Sequence, residues 1–202
     1  MEGFDNLKEL DCSQNKLTKL NVSDCPQLKT LDCSLNELEH LNLTNLEQLE
    51  EFACNDNNLT NLDFLSSNLK KLTSLNISDN NLSERNLSIF SQFVNLENLL
   101  IGNEDEKKIK IYNRFRGSLE PLKNLTKLKL LYISNTDIDS GLEYLPDSLE
   151  VVYCSTKKRP ESKVVKLVRK LSNKFLIDED REGYDFQDWR NESKAQIEIP
   201  PK

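Results

Sequence analysis

Apolar residues recur along this chain in a fixed cadence. Residues 7–27 read LKELDCSQNKLTKLNVSDCPQ, and residues 28–48 read LKTLDCSLNELEHLNLTNLEQ. The pattern LxxLxCxxNxL thus appears twice, 21 residues apart. Leu10 and Cys12 alternate with Glu9, Asp11 and Ser13, which predicts a short strand with one buried face. Asn15 then turns the chain, and Leu17, Leu20 and Val22 return apolar groups from the other side. One such coil cannot bury its own apolar face, so coils must stack into a solenoid with strand beside parallel strand. Asn15, Asn36, Asn57 and Asn80 then form a column, where side-chain amides bond backbone groups that the sheet ladder does not reach.

The LxxLxCxxNxL motif, in its Leu-Asp-Cys-Ser-x-Asn form, resembles the leucine-rich repeat family over most of the chain. The resemblance implies an α/β, right-handed leucine-rich-repeat solenoid: a curved parallel sheet, a convex side of short helices, 3₁₀ turns or extended chain, and a C-terminal capping helix. It also implies a binding or adaptor role, since members of the family are mostly of that kind.

Seven repeats begin at Leu7, Leu28, Leu49, Leu72, Leu96, Leu128 and Leu149. The first two connections are too short for a full helix and are expected to be extended or 3₁₀. From the fourth repeat they lengthen. Leu87, Phe90 and Phe93 lie at helical spacing with Ser83 as an N-cap candidate, and Leu119, Leu122 and Leu125 suggest another short helix. In the fifth repeat Glu104 stands where Asn is expected, and an insertion near 104–117 interrupts the rhythm. A segment of that length is usually functional or disordered. Its Ile109, Ile111, Tyr112 and Phe115 predict partial packing on the solenoid.

The solenoid is expected to span residues 1–158. Pro160 suits the first turn of a helix, and Val164, Leu167, Val168, Leu171 and Phe175 define an amphipathic cap over 159–176. Lys163, Lys166, Arg169, Lys170 and Lys174 line its outer side. Residues 177–202 read as an acidic tail that either docks on this helix or stays mobile. Only six residues precede Leu7, so the first coil exposes its edge, which points to a fragment of a longer array or a minimal cap, with end-to-end association as a further route.

Net charge changes the picture modestly. At −7, with a pI near 5.0, the chain argues against general nucleic-acid or membrane-surface binding. No apolar run reaches the roughly 18 residues of a bilayer span, and the first residues lack an export signal. Cys12, Cys33, Cys54 and Cys154 occupy the inward position that other repeats fill with Ile77, Ile101 and Ile133, so they read as core thiols. Cys25 lies in a connecting segment. Reduced cysteines favour the cytoplasm. The sequons at Asn21, Asn42, Asn58 and Asn124 point the other way, toward a secreted or cell-surface recognition module. They also follow from the repeat's Leu/Asn/Ser/Thr composition, and Asn76 would sit within the sheet.

Candidate chemistry is sparse. The single histidine, His40, precedes Leu41 on a connection, and a Cys–His nucleophile pair needs a thiol within hydrogen-bond reach. There is no CxxC, HExxH or glycine-rich phosphate loop. The stacked Asp11 and Asp32 would hold a cation only weakly, because Ala53 breaks their column. No enzyme, metal or cofactor is expected.

The outward strand positions say more. One column reads Asp11, Asp32, Ala53, Asn76, Leu100, Tyr132, Tyr153, and its neighbour reads Glu9, Thr30, Glu51, Ser74, Asn98, Leu130, Val151. Both change from acidic or polar to apolar. Leu100, Leu130, Tyr132, Val151 and Tyr153 are therefore expected to form a concave contact patch, unless the 109–115 segment or the acidic tail covers it. Asp32, Asp56 and Asp79, with Gln14 and Asn103 alongside, suit a partner carrying basic groups. The expected function is a non-catalytic protein-interaction module, such as a signalling adaptor or scaffold, monomeric and gripping a polypeptide. The alternative is nucleic-acid or anionic-ligand binding through Lys107, Lys108, Lys110, Tyr112, Arg114, Phe115 and Arg116, with steep salt dependence.

Overall fold

The computed structural model describes residues 4–65, 68–104, 111–171, 175–180 and 182–198. Each LxxLxC motif forms a three-residue strand: β1 (Glu9–Asp11), β2 (Thr30–Asp32), β3 (Glu51–Ala53), β4 (Ser74–Asn76) and β5 (Asn98–Leu100). Strand β6 (Arg116–Ser118) follows the insertion, then β7 (Leu130–Tyr132), β8 (Asp137–Ser140) and β9 (Val151–Tyr153). The C-terminal region supplies helix α1 (Val165–Leu171), strands β10 (Leu176–Asp178) and β11 (Gly183–Asp185), and helix α2 (Phe186–Glu198). The main sheet runs β1-β2-β3-β4-β5-β7-β9-β11-β10. Its first seven strands are parallel, and Leu10, Leu31, Phe52, Leu75, Leu99, Leu131 and Val152 stack in one inward row. Behind the sheet, β6 and β8 pair in a second, two-stranded parallel sheet.

The core is one continuous column from Val22 to Phe186. Cys33, Cys54 and Cys154 are fully buried in it, Cys12 is half-buried at the open first coil, and Cys25 is buried as well. Desolvation pushes the thiols of Cys33, Cys54 and Cys154 well up, so they are held neutral. Leu7, Leu10, Leu17 and Leu20 of the first coil are only partly covered. A coil with a neighbour on one side only can bury only that side.

The asparagine column is present and satisfies the turn. Asn57 Nδ2 donates to the carbonyls of Cys33 at 3.0 Å and Cys54 at 3.1 Å, while its Oδ1 accepts from Leu38 N at 2.9 Å. Asn36 and Asn80 repeat the arrangement one coil away on either side. The residue before each of these asparagines is left-handed: Leu35 and Asp56 at φ 54° and Asp79 at φ 52°. This turn carries the chain off the sheet and sets Asp56 and Asp79 along its upper rim.

Repeat five departs from the expected placement. Glu104 does not enter the column; Asn113 does. It is fully buried, donates to Ile77 O at 2.8 Å and Ile101 O at 3.3 Å, and accepts from Leu82 N at 3.2 Å. The rhythm therefore resumes at Asn113. Phe115 then fills the site that Leu82 fills in repeat four. It is 0% exposed, with its ring 5.6 Å from Phe90.

The two expected short helices are 3₁₀ turns at Ser88–Gln92 and Glu120–Leu122, and a further 3₁₀ turn lies at Leu142–Tyr144. Ser83 does not cap the first of them; its hydroxyl accepts from Arg85 instead, and Asn86 Oδ1 receives Ser88 N. Among the described residues of the expected cap over 159–176, the α-helix is Val165–Leu171. Arg159, 6% exposed, occupies the turn before it and donates to Asn135 O at 2.7 Å. Among the described residues of the acidic segment, β11 joins β9 antiparallel, with Tyr184 opposite Val152. Tyr184 and Phe186 are buried, and burial pushes the Tyr184 hydroxyl up to about 12.

Candidate interaction surface

The outward columns align as the strand pattern requires. Asp11, Asp32, Ala53, Asn76, Leu100, Tyr132 and Tyr153 are successive partners, and so are Glu9, Thr30, Glu51, Ser74, Asn98, Leu130 and Val151. The face therefore grades from acidic at β1–β2 to apolar at β5–β9. Leu100, Leu130, Val151 and Tyr153 are half-buried, as side chains standing on an open sheet are. Strands β11 and β10 continue the sheet past Tyr153 rather than lying over it.

Tyr132 behaves differently from the expected contact residue. It is 6% exposed, because its ring lies over Gly102 and beside Tyr153, with ring centres 6.0 Å apart. A Cβ at residue 102 would stand 2.4 Å from Tyr132 Cε1, so only glycine leaves room for the ring. Tyr132 is thus part of the packing, and Leu100, Leu130, Val151 and Tyr153 carry the apolar surface. Gly183 plays the matching part beside Tyr153, where a Cβ would approach within 2.7 Å.

The acidic residues have defined settings. Asp32 Oδ1 accepts from both the backbone and the hydroxyl of Ser34, at 2.9 and 2.6 Å. On the outermost strand, the hydroxyl and backbone of Ser13 hold the Asp11 carboxyl below the usual carboxylate range. Asp56 Oδ2 accepts from Asn55 Nδ2 at 2.8 Å, and Asn55 Oδ1 accepts from Asn76 Nδ2 at 2.9 Å. Asp79, 8% exposed, receives Glu104 N. Asp56, Asn76 and Asp79 border a notch of about 250 Å³ between Asn55 and Tyr132, also lined by Ser78, Leu100 and Glu104. Sequence reasoning placed Asp56 and Asp79 near the concave face but missed the notch, whose far wall is Glu104 at the start of the insertion.

The basic alternative is not assembled among the described residues. Lys107, Lys108 and Lys110 lie outside them. Phe115 is core rather than contact surface. Arg116 pairs with Glu84 at 2.9 Å. Tyr112 has Arg159 over its ring at 3.8 Å and Arg114 at 5.2 Å, which pins the end of the insertion to the C-terminal region. His40 is exposed and lines a groove of about 610 Å³ with Leu20 and Leu41, between the first two connections. Among the described residues no cluster of His, Cys, Asp or Glu could hold a metal ion, and no helix is long and apolar enough to cross a membrane.

No family model and no curated protein sequence matches the chain. Solved structures do. The functional domain of InlJ from Listeria monocytogenes, described as including a cysteine ladder, is 28% identical over 79% of this chain, with a TM-score of 0.56. A Leptospira interrogans LRR protein is 25% identical over 66%, with a TM-score of 0.57. The plant peptide hormone receptor RGFR1 in complex with RGF2 shares the fold at 21% identity over 72% of this chain and a TM-score of 0.52. The chain spans about a third of these proteins' length: 31%, 33% and 31%.

Proposed function

Because this chain is a leucine-rich-repeat protein, we propose that it is a non-catalytic protein-interaction module that grips an extended polypeptide on its concave face. The observation that carries the reading is the graded sheet surface. An apolar row of Leu100, Leu130, Val151 and Tyr153 continues into an acidic, amide-rich half, and the C-terminal strands extend the sheet beside it. An apolar centre with a polar rim is the anatomy of a protein contact surface. The solved relative RGFR1, which holds RGF2, supports the same use of the fold. The non-catalytic reading is supported by neutral, buried thiols at Cys33, Cys54 and Cys154. A reducing, cytoplasmic setting, with the module serving as adaptor or scaffold, belongs to the same proposal and is supported by the five unpaired cysteines.

The test is affinity capture with quantitative mass spectrometry, comparing the wild-type chain with a Leu130→Asp/Val151→Asp double variant. A Val94→Asp variant, changed at an exposed site outside the main sheet, serves as the control. The double variant should lose its captured proteins while melting near the wild-type temperature, and the control should keep them. Equal capture by all three would refute the concave face as the contact surface.

A further inference from the structure

Two unfavourable features meet at Leu35. It is 47% exposed, and its backbone is left-handed, at φ 54°. The chain bends this way in successive coils, at Gln14, Leu35, Asp56 and Asp79. These residues form a column along the upper rim of the sheet. Each donates its N–H to a carbonyl of the next coil: Gln14 to Ser34 O, Leu35 to Asn55 O, Asp56 to Ser78 O and Asp79 to Gly102 O. The turn therefore needs the left-handed backbone whatever side chain stands there. Asparagine and aspartate adopt it readily, whereas a leucine side chain crowds its own backbone. An exposed leucine alone calls for no explanation. A leucine that is both exposed and strained does, because asparagine would relieve the strain and hydrate better.

We propose that Leu35 is an apolar anchor for the polypeptide bound on the concave face, packing against one of its apolar side chains at the upper rim. The proposal rests on the concave-face reading and adds to it a second contact point, apart from the row of Leu100, Leu130, Val151 and Tyr153. The rim column stands beside that face, since Asp56 and Asp79 border the same notch as Asn76 and Leu100. Leu35 holds the equivalent position one coil before Asp56. From its coil to that of Leu100 is three strand steps, β2 to β5, or about 14 Å along the solenoid. An extended chain covers that distance in about four residues. Between the two anchors the outward columns carry Asp32 and Glu51, and neither column holds a lysine or arginine from β1 to β9. The occupant is therefore an extended segment with an apolar side chain at each end of this span and basic ones between. A polar residue at position 35 would serve the turn better and this segment worse.

The experiment selects peptides from a random library on the immobilised full chain, at a length of about twelve residues, against the roughly seven extended residues that span β2 to β9. The selected peptides should carry two apolar positions about four residues apart with lysine or arginine between them. Their affinity, read by fluorescence anisotropy, should fall about tenfold for Leu35→Asn, the size of a partly buried leucine contact, and stay within about twofold for Leu35→Met. Leu130→Asp/Val151→Asp should abolish it. Thermal melting separates contact from folding: Leu35→Asn should melt at or above the wild-type temperature, because relief of the backbone offsets the lost packing. Melting more than about 3 °C below wild type would make Leu35 a folding residue and overturn the anchor. Wild-type affinity in Leu35→Asn, with binding lost in Leu130→Asp/Val151→Asp, removes the anchor and leaves the concave face standing. Peptides that bind every variant alike, or a library that yields none, remove the face and the anchor together.

Discussion

An Asn57→Ala variant is expected to melt about 10 °C below the wild type, a loss of roughly 3–5 kcal/mol for a chain of this size. The side chain is small and adds little apolar burial, so the effect comes from what it leaves behind. Removing the amide strands Leu38 N–H inside the solenoid and takes one of two amide donors from each of the Cys33 and Cys54 carbonyls, which keep Asn36 and Asn80. Unmade buried hydrogen bonds carry the full desolvation penalty, about 1–3 kcal/mol each, and neighbouring ones do not add fully. Asn113→Ala should behave alike, since that side chain spans Ile77, Ile101 and Leu82 in the same way. Asn15→Ala is the control. Its amide bonds to Cys12 and Ser13 are solvent-exposed, and its loss should cost less than about 1 kcal/mol. Urea unfolding of the three variants reads the contrast, and equal losses at positions 15 and 57 would contradict the ladder's role.

Phe186→Ala should cost about 3–5 kcal/mol, the range for emptying a buried phenylalanine site. The ring is fully buried, stacks on Trp189 with centres 5.1 Å apart, and lies 4.7 Å from the Arg190 guanidinium. Its backbone N–H bonds Glu150 O at 2.8 Å, and Arg190 reaches Asp147 at 2.7 Å, so one residue anchors the C-terminal segment against the last coil. Loosening it should release β11 from β9 and expose a strand edge able to pair with another chain. Amide exchange should therefore rise first across residues 151–153 and 183–185, and light scattering should rise with concentration. Stability within about 1 kcal/mol of wild type would mean that the segment does not close the sheet.

The parallel register was legible because a two-residue alternation and a recurring asparagine fix which side chains face inward; the columns from Glu9 to Val151 and from Asp11 to Tyr153 needed nothing more. Repeat five was read wrongly because Glu104 occupies the counted position. The usable signal was local: Asn113 precedes Phe115 with the spacing that sets Asn80 before Leu82. The depth of Tyr132 could not be read from its own position, since it depends on Gly102 one coil earlier leaving room for the ring. The C-terminal segment looked like an acidic tail because Glu179, Asp180 and Glu182 dominate its charge. Those residues flank or occupy a turn, while strand addition is made by backbone groups that composition does not reveal. The notch was hidden for a related reason: Glu104 meets Asp79 and Tyr132 only once the coils are stacked.

Interstrand backbone NOEs test the stacking on which every surface position depends. The account predicts parallel-pattern contacts linking Leu31 to Phe52, Phe52 to Leu75, Leu75 to Leu99, Leu99 to Leu131 and Leu131 to Val152, followed by an antiparallel set between Val152 and Tyr184. Antiparallel contacts within the first series, or no contact between Leu31 and Phe52, would contradict it.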